Sequence, residues 1–167
     1  MRHKGFTLVE ILIVVVLLGV LAAVVIPAVG KSGVAARQST VAEQLAMLRR
    51  FMLVYKSHHK EVAPGYPDGD TGAEPSDAAF RAQATLSSNS SGVTAPRGTP
   101  GFGYGPYLSR IPTNPFNDSD AIEIIADDAL FPDEPDGKSG WVCKPSTGEI
   151  RPGNTGTDER GTAYYDY

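Results

Sequence analysis

The chain has 167 residues, 41% of them hydrophobic and 20% charged, with a formal net charge of −4 and a single cysteine. That length holds an anchor or tail plus one small domain, and excludes two full domains. The acidic balance argues against a general grip on nucleic acid, which needs clustered Lys and Arg against phosphate, and a lone Cys143 excludes an internal disulfide.

The chain begins with a short basic head, Arg2, His3 and Lys4, that ends at Gly5. An apolar run follows from Phe6 to Val29, with one acid, Glu10, inside it. As a helix rising about 1.5 Å per residue, Phe6 to Ile26 spans about 31 Å, the thickness of a bilayer core. The run is too long for the ~7–15-residue apolar region of a secretory signal, and the small residue precedes it instead of following. No cysteine stands near Gly5, which excludes lipoprotein processing. Arg2 and Lys4 stay cytoplasmic by the positive-inside tendency, which sends the rest of the chain across.

A carboxylate at a bilayer centre costs roughly 2.5–3.5 kcal/mol, and less near the edge, where Glu10 falls. Either Glu10 reaches the interface or is protonated, or it meets a cation at the same depth. Cleavage after Gly5 supplies that cation, a free amine on Phe6 with an ordinary pKa of about 7.7–8.0, one turn from Glu10. Between axially staggered helices, the amine of an incoming copy would neutralise the Glu10 of one already in place. Such a pair sets register more than it adds stability.

Lys4-Gly5-Phe6-Thr7-Leu8-Val9-Glu10 followed by the apolar run resembles the class III signal of type IV pilins and type II secretion pseudopilins. The resemblance covers about the first thirty residues. It implies that a prepilin peptidase cuts between Gly5 and Phe6 and methylates the new amine of Phe6, and that Glu10, with Phe6, is the assembly residue. Pro27 matches the proline that kinks the pilin helix, since an internal proline removes one hydrogen bond and clashes with the preceding turn. A plainer reading has Pro27 mark the exit from the membrane. The partners implied are further copies of the chain, minor pseudopilins, the peptidase, an inner-membrane assembly platform and membrane lipid. The location implied is the bacterial inner membrane, single-pass, with the N-terminus cytoplasmic before processing and the head in the periplasm or outside.

Beyond Pro27 the helical pattern resumes. Val41, Leu45, Leu48, Met52 and Tyr55 fall on one face at helical period, so the helix is expected to run to about Ser57, some 75 Å in all. Residues 31–60 carry Lys31, Arg37, Arg49, Arg50, Lys56 and Lys60 against Glu43, whereas from Glu61 onward seven basic residues face 17 acids. The basic stretch suits lipid headgroups, the acidic head of a neighbour, or simply solvent. The expected organisation is a leader at 1–5, a transmembrane and assembly helix at 6–29, its amphipathic continuation at 30–60 and a head at 61–167.

Val62 to Pro75 is rich in turn residues and closes the long helix. Ser76 is a good N-cap for a short helix over about Asp77–Leu86. Asn89 to Gly105 reads as loop, and Gly101-Phe-Gly-Tyr-Gly lacks the lysine and preceding strand of a phosphate loop. Gly105-Pro-Tyr-Leu-Ser-Arg-Ile-Pro-Thr-Asn-Pro-Phe resembles the segment joining helix to sheet in major pseudopilins, with Pro115-Phe116 where that family usually has Pro-Trp. Ala121–Ala126, Gly140–Lys144 and Glu149–Arg151 read as strands separated by turn chemistry. The expected class is α+β, a long N-terminal helix packed on a small antiparallel sheet.

Carboxylates gather at Asp118/Asp120/Glu123, Asp127/Asp128, Asp133/Glu134/Asp136 and Asp158/Glu159, none at the spacing of a twelve-residue calcium loop. The pseudopilin resemblance implies Ca²⁺ in a C-terminal loop, with Asp158 and then Asp166 the nearest counterparts; solvated turn acids are the plainer reading, and no cofactor is required. Cys143 reads as a small buried hydrophobe. His58 and His59 point to different sides of a helix and make a poor metal pair. No constellation for catalysis stands out. The reading is a fibre subunit of a type II secretion pseudopilus; a type IV pilin serving adhesion, motility or DNA uptake is the alternative, and a membrane-tethered binding module that never polymerises is a third.

Overall fold

The computed structural model describes residues 7–167, with the side chains of residues 24–32 outside the description. The fold is α+β: a long helix α1 (Leu8–His58), a short helix α2 (Asp77–Thr85), and strands β1 (Ser87–Ser88), β2 (Thr94–Ala95), β3 (Ile122–Ile124), β4 (Trp141–Lys144) and β5 (Glu149–Pro152). Two compact units divide the chain, Met1–Gln38 and Ser39–Tyr167. The division falls inside the amphipathic continuation expected at 30–60.

In the first unit, α1 presents large apolar side chains on every face. From Leu8 to Leu21 they are 50–82% exposed. In the second unit the same helix changes character. Val41, Leu45, Leu48, Met52 and Tyr55, the stripe read from the sequence, are all buried, and Phe51 joins them. The helix ends at His58, one residue past the expected end, and Lys60 and Glu61 then adopt left-handed backbone (φ 53° and 65°).

From Leu45 onward the stripe packs on Phe80 and Ala84 of α2, Leu108 and Ile111 of the connecting segment, and Ile122, Trp141, Cys143 and Ile150 of the sheet. Helix α2 starts as expected, with the Ser76 hydroxyl accepting from the Ala79 N–H. Strand β4 is central and buried along its whole length, and alternation assigns its sides. Trp141 and Cys143 face the main core; Val142 faces a second cluster with Ile125 and Tyr165. Cys143 is fully buried, and burial pushes its thiol well above the ordinary range, so it behaves as the small hydrophobe expected.

Strand pairing departs from the expectation in one respect. β1–β2 and β4–β5 are antiparallel, but β3 joins β4 parallel, Ile122 opposite Trp141. A parallel neighbour needs a long crossover, and the segment from Ile125 to Gly140 provides it. β1 and β2 lie partly within a stretch read as loop; two-residue strands carry no period to detect.

Two glycines have a spatial reason. A Cβ on Gly140 would sit 2.1 Å from the Ser119 carbonyl oxygen, and one on Gly153 would sit 2.2 Å from that of Ser139. The first approach lays the 112–119 segment directly against the start of β4, and the second brings the chain after β5 against the residue before Gly140. Buried Asn114 fastens the 112–119 segment, its amide donating to Gly140 O (3.0 Å) and Asn154 Oδ1 (2.8 Å) while its Oδ1 accepts from Phe116 N. The Trp141 indole N–H donates to Pro112 O at 2.8 Å.

Candidate functional site: the N-terminal segment and the C-terminal loop

The start of α1 is built from a four-residue motif. Thr7 N and Thr7 Oγ1 both donate to Glu10 Oε2 at 2.8 Å, and Glu10 N donates to Thr7 Oγ1 at 3.2 Å. This is a reciprocal capping box, Thr-x-x-Glu, which satisfies donors that a helix start leaves unpaired. Glu10 is exposed and one of its oxygens, Oε2, carries both Thr7 bonds. Gly5 and Phe6, the expected cleavage and methylation positions, lie outside the described residues. Pro27 lies within the span of α1, and its side chain, with the kink expected there, also falls outside the description.

Thr7-Leu8-Val9-Glu10 before an apolar run carries a capping-box signature in the sequence itself, which marks Thr7 as the partner of Glu10. A helix apolar on all sides is stable only against lipid or other helices. Among the described residues no helix is long and apolar enough to cross a membrane; the expected span, Phe6 to Ile26, begins outside them and ends among residues whose side chains are outside the description.

The C-terminal loop holds the other expected site residues. Asp158 Oδ1 accepts from Arg160 N (2.8 Å) and Thr162 N (2.9 Å), and Oδ2 accepts from the Tyr167 hydroxyl (3.1 Å). The Thr162 N–H bond is the main reason its carboxyl is held below the usual range. Asp166 is exposed on the terminal 3-10 turn. Phe116 packs on Tyr164 with ring centres 4.4 Å apart, and Arg49 donates to Tyr167 O at 2.8 Å. Among the described residues no three His, Cys, Asp or Glu side chains stand close enough to hold a metal. Three of the roughly four lone-pair positions of Asp158 are taken by the loop's own donors, and Ca²⁺ takes 6–8 oxygens, so the acidic side chains gathered here supply few of the ligands the ion needs. Thermal unfolding of the full chain in detergent is therefore expected to be unchanged, within about 1 °C, between excess Ca²⁺ and excess EGTA. A Ca²⁺-dependent rise of several degrees would contradict the geometry.

His58 and His59 do not point to different sides as expected: their ring centres are 6.4 Å apart and both pack on Tyr104 and Tyr107, although they differ in burial. His58 is exposed, stacks on Tyr104 and meets the Tyr107 hydroxyl at 2.9 Å. His59 is buried and stacks on Tyr55 at 3.8 Å, with Nδ1 donating to Tyr55 O (2.7 Å) and Nε2 2.9 Å from Ser88 Oγ. With Nδ1 as donor, neutral Nε2 accepts from the serine. Burial, reinforced by the charge of His58, lowers its pKa below the ordinary 6.5. The unfolded chain then binds the proton more tightly, so this contribution to stability is complete above about pH 6.5 and is lost as pH falls toward the folded-state value. Melting temperature is expected to fall more steeply from pH 7.5 to 5.0 in the wild type than in His59→Gln. Parallel profiles would exclude His59 as the cause.

With this geometry in view, comparison with known proteins gives one match: residues 1–26 fit the family model of the prokaryotic N-terminal methylation motif. No curated protein and no solved structure matches the chain. The chain thus carries a class III signal of the kind found on type IV pilin-like proteins, which implies a membrane-anchored product processed as a prepilin. Pilin and pseudopilin share this signal.

Proposed function

We propose that the chain is a structural fibre subunit of a type II secretion pseudopilus and not an enzyme. In this reading a prepilin peptidase cuts between Gly5 and Phe6 and methylates Phe6. The mature helix leaves the inner membrane to pack against its copies, and growth of the fibre pushes substrates outward. The observation that carries the reading is the first unit's helix: apolar on every face from Leu8 to Leu21, yet opened by a polar Thr7–Glu10 box within a methylation motif. Nothing in that unit covers those side chains among the described residues, so copies of the same helix are a fitting cover once lipid is left behind.

The secretion branch is favoured over a type IV pilus by the small C-terminal unit, by the Tyr107-Leu108 to Pro115-Phe116 segment, and by the single buried cysteine, which rules out a disulfide-closed C-terminal loop. The reading does not need Ca²⁺: the Asp158 carboxylate is engaged by Arg160 N, Thr162 N and the Tyr167 hydroxyl. Deleting the gene in its host separates the branches. A strain that stops releasing exported enzymes but keeps surface filaments and twitching supports the pseudopilus; loss of filaments with secretion intact assigns a type IV pilin.

A further inference from the structure

Leu130 is the most exposed large apolar side chain among the described residues, at 88%. The loop that bears it is pinned on both sides. The Tyr66 hydroxyl bonds the Asp127 carboxylate at 2.8 Å, and Lys144 Nζ donates to Ala129 O. On the far side, the Arg151 guanidinium lies 4.4 Å over the Phe131 ring. Leu130 is thus held outward between fixed neighbours, with exposed Asp128, Asp133 and Glu134 around it. An apolar side chain presented this way, on an acidic loop, calls for an apolar seat with a basic rim.

The same unit has such a seat. A groove of about 350 Å³ runs between the last turns of α1 and the β4–β5 turn. Its floor is Met52 and Ile150, and its wall is Leu53, 69% exposed. Arg49 and Lys56 edge it, two helical turns or about 10.5 Å apart. Glu149 also lies there, but Arg151 pairs with it at 2.7 Å. Arg49 is held by the Ile150 and Tyr167 carbonyl oxygens (3.3 and 2.8 Å). Among the described residues Lys56 is not ion-paired, so Lys56 is the freer positive charge of the rim.

We infer that the Leu130 loop of one copy seats in the α1–β5 groove of the next, an inference that rests on the fibre reading. Loop and groove are different surfaces, and in a fibre each copy gives its loop to one neighbour and its groove to the other, so the contact is heterologous. A heterologous contact closes into a ring or, where the rotation does not close, runs on as an open helical array, the form a fibre requires. Complementary charge then fixes which end of one copy meets the next.

The test uses the full chain, expressed with its assembly machinery, in which Cys143 is buried and silent to a thiol cross-linker. Leu130→Cys with Leu53→Cys in one chain, treated with a flexible bismaleimide, is expected to give a ladder of multimers. Chains carrying one cysteine each, when mixed, are expected to stop at dimers. Leu130→Asp should lower fibre yield many-fold without changing the melting temperature. Lys56→Glu should lower it several-fold, and Glu134→Lys in the same chain should restore it. Fibres at wild-type yield from Leu130→Asp, or wild-type fibres with no ladder from the cysteine pair, overturn the contact and leave the fibre reading standing. Absence of any fibre from the processed wild type overturns both.

Discussion

Trp141→Ala is expected to lower stability by about 3–5 kcal/mol, the usual cost of deleting a large buried aromatic. Trp141 is fully buried on the central strand, and its indole N–H is bonded to Pro112 O. Truncation opens a cavity at the centre of the main cluster and removes the partner of that carbonyl, worth a further ~1–3 kcal/mol if water cannot reach it. A domain of this size has only about 5–15 kcal/mol to lose. The melting temperature, followed by far-ultraviolet circular dichroism of the full chain in detergent, should fall by roughly 10 °C or more. Trp141→Phe should fall between, since it keeps most of the volume and loses the hydrogen bond. A drop of only a degree or two for the alanine variant would mean that the 112–119 segment is held without the tryptophan.

Glu10→Gln is expected to abolish fibre assembly while leaving the start of α1 intact. Glutamine accepts from Thr7 in the same box, because the motif tolerates Glu or Gln at that position. It cannot, however, neutralise the charged amine of an incoming Phe6. Glu10→Ala removes both functions, but loss of a cap costs only about 0.5–2 kcal/mol, too little to remove the protein from the membrane. Membrane level should therefore be close to wild type for both variants, with fibres absent from both. If Glu10→Gln assembles and Glu10→Ala does not, capping and not charge is what assembly needs.

The long helix was legible because its signals are strong and local: a membrane-length apolar run, then a stripe from Val41 to Tyr55 that the structure buries residue by residue. The three strands of the main sheet were legible for the same reason, as short β-branched and aromatic runs between turns. Their pairing was not, since the parallel register of Ile122 on Trp141 depends on where a long, irregular crossover leads the chain. Nor was the work of Asn114, Asn154 and Gly140, whose roles come from close approach of segments distant in sequence. In the N-terminal segment, Glu10 was read from charge in an apolar context, but its bond to Thr7 needed the capping pattern as well. The expected calcium acids, Asp158 and Asp166, were placed by analogy of position; what their loop does with its own donors could only be seen in three dimensions.

The central claim, that this chain is a processed and polymerising subunit, meets its most direct test in the mass of the protein extracted from membranes of a host with an active prepilin peptidase. Fragmentation of the N-terminus is expected to show a chain that starts at Phe6 and carries one added methyl group on its amine. A chain still starting at Met1 under those conditions would contradict the account and leave a simple membrane anchor in its place.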